Sequence, residues 1–82
     1  MKKDKLINLI DLEEGQSAVI ISLAAGSRAT KRLVDLGLTP GTPIRISRKA
    51  PFFGPVEIEV RGSKLVLGRG VASKILVNRD EQ

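Results

Sequence analysis

The sequence predicts a mainly β domain that carries one well-defined helix. Three observations lead there. The chain has 82 residues, within the roughly 50–250 residues typical of a single domain. Apolar residues recur with a helical period over one stretch, 27–36, and with period two after residue 43. Aromatic residues make up only 2%, so the core must be built from Val, Ile, Leu and Ala.

Leu6, Leu9 and Leu12 form a short apolar segment that ends in the turn signal Glu13-Glu14-Gly15. It is expected to pack as a lead-in against the sheet. Ser17 to Leu23 is β-branched and predicts a strand. Gly26-Ser27 opens the helix, with Ser27 as the expected N-cap. Ala29, Leu33 and Leu36 supply its apolar stripe, and Arg28, Lys31, Arg32 and Asp35 occupy its other faces. Gly37 provides the left-handed residue that stops it, Pro40 prevents continuation, and Leu36 and Leu38 are both expected to reach the core.

Downstream, Ile44 and Ile46 alternate with Arg45 and Ser47, and Val56, Ile58 and Val60 alternate with Glu57, Glu59 and Arg61. Gly62-Ser63 fits a two-residue type II′ hairpin loop, which pairs Arg61 with Lys64, Val60 with Leu65 and Ile58 with Leu67. Gly68-Arg69-Gly70 leads into a helical turn, Val71 to Lys74, and Ile75 to Val77 form a last strand. The chain is expected to be one domain, 1–82, with loosely ordered ends at 1–8 and 78–82. Five short strands with a helix between the first two offer only one crossover, which excludes a doubly wound sheet. A chain this small that must hide its sheet edges curls up, and a small SH3-like β-barrel is the simplest solution.

Composition narrows the chemistry. There is no cysteine and no histidine, so disulfides and the usual structural zinc sites are excluded. An enzyme lacks its inventory: no His, Cys or Tyr, and no serine or carboxylate in a recognisable catalytic context. Met1 to Ile7 begins like a signal peptide, but Asn8 and Asp11 interrupt the apolar stretch and no 18-residue apolar run exists, so the cytoplasm and no direct membrane insertion are expected. Net charge is +5. Residues 28–79 hold eleven Lys/Arg against Asp35, Glu57 and Glu59, a basic body facing solvent or something acidic.

The block Arg32-Leu33-x-x-Leu36-Gly37-Leu38-Thr39-Pro40-Gly41 resembles the block that opens the second half of FeoA domains. Pro51-x-x-Gly54-Pro55-Val56-x-Ile58-x-Val60-x-Gly62 and Leu65-x-Leu67-Gly68-x-Gly70-x-Ala72-x-x-Ile75-x-Val77 are similar to the rest of that family's pattern, and Leu9-x-x-Leu12-x-x-Gly15 to its start. The likeness runs from about Leu9 to Val77. One departure is Ala25-Gly26, where the family often has two glycines. The same domain type ends iron-dependent metalloregulators; with no winged helix ahead of it, this chain is expected to be the free-standing form. The resemblance implies a cytoplasmic accessory protein of ferrous iron uptake that docks onto FeoB, a membrane GTPase that imports Fe²⁺. It also implies a loose association with transition metals.

Candidate sites follow. Arg28, Lys31 and Arg32 share the exposed side of the helix and could meet an acidic partner; the alternative is a solvated face. Pro51-Phe52-Phe53-Gly54-Pro55 contains the only two aromatics. Adjacent residues on an extended segment point to opposite faces, so both rings cannot enter one core. At least one is expected to be exposed, as a rigid prong for the transporter or for self-association with a second copy. Glu57 and Glu59 would suit a hard cation but read better as solvated carboxylates, so no tightly bound cofactor or metal is expected. Gly68-x-Gly70 reads as a tight turn before it reads as a phosphate cradle. The second functional class is an SH3-like nucleic-acid-binding module of the translation-factor type, which the basic charge favours. The scarcity of aromatics to stack bases opposes it, so no specific nucleic acid is expected. Recognition of PxxP peptides would need Tyr and Trp, which are absent.

Overall fold

The structure is a computed structural model, and it describes residues 6–79. Its elements are β1 (Leu6–Asn8), a 3₁₀ turn (Leu9–Asp11), β2 (Ser17–Leu23), α1 (Ser27–Asp35), β3 (Pro43–Lys49), β4 (Val56–Val60), β5 (Ser63–Leu67), α2 (Arg69–Ala72) and β6 (Ile75–Arg79). All six strands join one antiparallel sheet in the order β1-β6-β2-β3-β4-β5. The order is open at β1 and β5, so closure into a barrel is not part of the hydrogen bonding.

Two expectations about the ends need correction. Leu6–Asn8, expected within a loosely ordered end, is a strand that pairs with Leu76–Asn78. Asn78 and Arg79 belong to β6, which sits inside the sheet between β1 and β2. The rest of both ends lies outside the described residues. The strand count is therefore six, and α1 lies between the second and third strands. Three residues without alternation, Leu-Ile-Asn, carry no period-two signal of their own; only the partner strand makes them a strand.

The period-two pattern is obeyed where it is strong. Ile44, Ile46, Val56 and Ile58 are buried, and their strand neighbours Arg45 and Glu57 are exposed and half-buried. Leu9, Leu12, Ile20, Leu33, Leu38 and Ile75 complete the centre of the core. The ammonium of Lys49 donates to the carbonyls of Ile10 (2.8 Å) and Leu12 (2.9 Å), which ties the 3₁₀ turn to the end of β3.

The helix stop is a Schellman motif. Gly37 has φ 91°, its N–H donates to Val34 O (2.9 Å), and that of Leu38 donates to Leu33 O (2.9 Å). Leu33 and Leu38 are both buried, but Leu36 is 46% exposed, against expectation. Turning into the left-handed Gly37 swings Leu38, not Leu36, under the sheet. The N-cap is Gly26, not Ser27, which is the first helical residue. The first turn is held by Thr30, whose Oγ1 donates to Ala25 O (3.0 Å).

The β4–β5 register also differs. Val60 faces Ser63, Glu59 faces Lys64 and Ile58 faces Leu65. Arg61 (φ 52°) and Gly62 (φ 79°) are the two turn residues, the positive-φ pair of a type I′ turn, which matches strand twist. The difference from the expected pairing is two residues along β5. A shift of two keeps every side chain on its face, so matching apolar to apolar could not tell the registers apart. Charge does: Lys64 now stands opposite Glu59, with its Nζ 3.9 Å from Glu57.

Candidate functional site

The β3–β4 connection is pinned at its base by Ala50 N–H donating to Pro55 O (3.0 Å). At its tip Gly54 N–H donates to Pro51 O (3.1 Å), leaving Phe52 and Phe53 as the central residues. Their φ angles are 58° and 59°. Positive φ at both centres is the type I′ signature, which usually selects Asn-Gly; two phenylalanines there are strained. The tight turn needs Gly54, because a Cβ there would stand 2.8 Å from the Ala50 Cβ. Both rings project into solvent, Phe52 94% and Phe53 81% exposed, so the prong carries two rings where the sequence required one. The guanidinium of Arg69 stacks over Phe53, 4.9 Å from its centroid, a cation–π contact.

Beside this tip runs a groove of about 410 Å³ between α1, the end of β5 and α2. Leu33, Leu36, Val66 and Val71 form its apolar wall, and Arg28 and Arg32 stand on its helical side. β5 is an edge strand, and Val66 is 65% exposed on it. The two arginines sit one helical turn apart, and among the described residues neither has an ion pair.

The structure thus divides the expected cationic face. Arg28 and Arg32 face the groove, whereas Lys31 lies away from it, its Nζ 3.6 Å from Asp35. Phe52 and Phe53 belong to the neighbouring tip, joined to the groove through Arg69, which lies between the lining residues Gly68 and Val71. Sequence reasoning missed Leu36, Val66, Val71 and Arg69. Val66 had a readable signal: it is apolar at a position that alternation sends outward, in register with Glu57.

Glu57 and Glu59 are occupied by cross-strand partners. Ser47 Oγ donates to Glu57 Oε2 (3.0 Å), and Arg45 Nη1 donates to Glu59 Oε1 (3.3 Å). Among the described residues no three His, Cys, Asp or Glu side chains converge on a point that could hold a metal ion. Gly68 caps the four-residue α2 and accepts from Ala72 N–H (2.9 Å), which is the tight-turn role. No described helix is long and apolar enough to cross a membrane.

The FeoA domain pattern matches residues 7–79. The chain belongs to the FeoA family. A curated relative, "Putative Fe(2+) transport protein A" of Methanocaldococcus jannaschii, is 36% identical over 69 residues, 84% of this chain and 82% of its own. A crystal structure described as an iron uptake regulatory protein (FeoA) superposes with a TM-score of 0.86 at 29% identity, covering 93% of this chain and all of the other. The FeoA protein of Chlorobium tepidum has a TM-score of 0.83 at 35% identity, covering 92% of this chain and 74% of its own. The resemblance drawn from the glycine and leucine spacing therefore holds, and the SH3-like fold of this FeoA-family chain is shared with these structures.

Proposed function

We propose that this FeoA-family chain is a cytoplasmic accessory protein of ferrous iron uptake that docks onto a FeoB-type membrane GTPase and supports or regulates it. The match of residues 7–79 to the FeoA domain carries the reading, and the name of the Methanocaldococcus relative agrees with it. Fe²⁺ is the cargo of the transporter, not a ligand that this chain needs to hold.

The surface beside Arg69 supplies what a docking protein requires. Arg28 and Arg32, without an ion pair among the described residues, offer cations to an acidic partner, and Phe52 and Phe53 offer apolar area on a turn with little freedom left to lose. Binding of the purified chain to the FeoB-type transporter of the same genome, held in nanodiscs, tests the reading. The expected result is saturable binding that Phe53→Ser weakens by roughly 5- to 150-fold, the loss of about 1–3 kcal/mol typical of a buried aromatic anchor. Absence of binding, together with unchanged Fe²⁺ uptake in cells lacking this chain, would overturn it.

A further inference from the structure

We propose that the Phe52–Phe53 tip is an interfacial anchor that seats this chain on an anionic phospholipid surface. Both rings enter the headgroup–acyl boundary, and the guanidinium groups of Arg28, Arg32, Arg48 and Arg69 meet headgroup phosphates. The inference goes beyond the docking reading and does not depend on it.

The tip is built to leave water. Pro51, Phe52, Phe53 and Pro55 are all exposed, the two rings by 94% and 81%, and no charged residue lies between Ala50 and Pro55. Moving backbone into lipid is costly wherever an N–H lacks a partner. Here the two prolines have no N–H, and the N–H groups of Ala50 and Gly54 donate to Pro55 O (3.0 Å) and Pro51 O (3.1 Å). Only the N–H groups of Phe52 and Phe53 remain to be solvated. A protein pocket can supply hydrogen-bond partners to an unpaired turn and hydrocarbon cannot, so a turn that pairs its own donors favours the bilayer.

Charge fits an anionic surface. Arg69 already lies over Phe53, and Arg48 is exposed near the end of β3, two residues before Ala50. Arg28 and Arg32 line the groove together with Gly68 and Val71, the residues on either side of Arg69. None of the four arginines has an ion pair among the described residues. Two carboxylates stand near the root: Glu14 accepts from Lys49 N–H (2.8 Å), and Glu57 faces Arg48 across the β3–β4 ladder. Glu57 is matched by Lys64, which leaves the cations in excess. Guanidinium groups suit phosphate by bidentate pairing, and stable peripheral binding takes two signals, here an apolar anchor and a basic patch.

Interfacial docking needs no membrane-crossing segment. The expectation of no direct membrane insertion rested on the lack of a long apolar run, which is a requirement for spanning; a short apolar tip suffices at the interface.

Flotation of the purified full chain with protein-free vesicles tests this, using phosphatidylcholine alone and phosphatidylcholine doped with phosphatidylglycerol. Saturable binding to the anionic vesicles is expected, and much weaker binding to the neutral ones. The chain has no Trp or Tyr, so Phe53→Trp supplies a single reporter whose emission should shift to the blue and be quenched by brominated lipid. Phe52→Ser/Phe53→Ser should weaken binding by about 100-fold, from about tenfold per buried ring. Arg28→Gln/Arg32→Gln should weaken it by about 25-fold, from about fivefold per cation near an anionic surface. Melting temperatures, recorded alongside, should not fall; Arg48→Gln serves if the paired variant fails to fold. No binding to anionic vesicles, equal binding to neutral ones, binding that survives loss of both rings, or a Trp emission unmoved by lipid would each overturn the proposal. Capture of a single-stranded oligonucleotide through the rings, with vesicles left unbound, would overturn it in favour of base stacking. No transporter is present, so failure here leaves the docking reading standing.

Discussion

Arg69 holds its guanidinium carbon 4.9 Å from the centroid of the Phe53 ring, which links the tip of the β3–β4 turn to the first residue of α2. The contact gives an 81% exposed ring a neighbour outside the core. It also joins two features that look unrelated in sequence, an aromatic pair and a glycine-flanked arginine, into one surface.

The tip is strained for its residues and should be stabilised by the residues its backbone favours. Left-handed backbone costs a non-glycine residue about 1–2 kcal/mol, and an exposed cation–π contact returns only about 0.5–1 kcal/mol. Phe52→Asn combined with Phe53→Gly installs the usual type I′ pair. A net gain of about 1–2 kcal/mol is expected, read as a rise in melting temperature of about 4–8 °C per kcal/mol, together with lost partner affinity. A lower melting temperature would show that the rings stabilise the fold.

Lys49 is a structural cation. Its Nζ bonds to the Ile10 and Leu12 carbonyls at 2.8 and 2.9 Å. Lys49→Met keeps the apolar stem and removes both donors, so a loss of about 1–3 kcal/mol is expected. Urea unfolding measures it as a lower midpoint at unchanged slope; an unchanged midpoint would refute the role.

Gly54→Ala should destabilise through one contact. The added methyl would lie 2.8 Å from Ala50 Cβ and 3.1 Å from Pro51 O, and overpacking of this kind costs about 1–3 kcal/mol. Ala50→Gly removes the first of the two atoms. In a double-mutant cycle the pair should couple favourably, and additive losses would place the cause elsewhere.

Protein purified without chelator is expected to contain no stoichiometric iron or zinc by elemental analysis. The chain has no His or Cys, and Glu57 and Glu59 are engaged by Ser47, Arg45 and Lys64. A metal retained at one per chain would contradict this.

Nucleic acid should bind weakly and through phosphates alone. The net charge is +5, but the exposed aromatics sit together on one turn and form no platform for successive bases. Affinity for a labelled oligonucleotide should fall steeply with salt and be indifferent to sequence. Sequence-selective binding at physiological salt would favour the translation-factor type of module instead.

The sequence alone determined the elements that repeat their own signal. α1 was legible because its stripe, Gly37 and Pro40 agree, and β3 and β4 were legible because Ile44, Ile46, Val56, Ile58 and Val60 alternate with polar residues. The family followed from glycine and leucine spacing. The hairpin tip followed from the prolines and glycine around the two rings, whereas the extended backbone assumed there gave way to a tight turn with both rings at positive φ and exposed.

Tertiary structure decided whatever depends on a partner in space. β1 is a strand only because β6 pairs with it, and the β4–β5 register rests on a positive φ at Arg61 that no local pattern encodes. The groove exists because α1 and the end of edge strand β5, which lie far apart in the chain, line one cleft. Its separation of Arg28 and Arg32 from Lys31 follows from that placement. A helix's periodicity tells which residues share a face, but only packing tells which neighbour that face will meet.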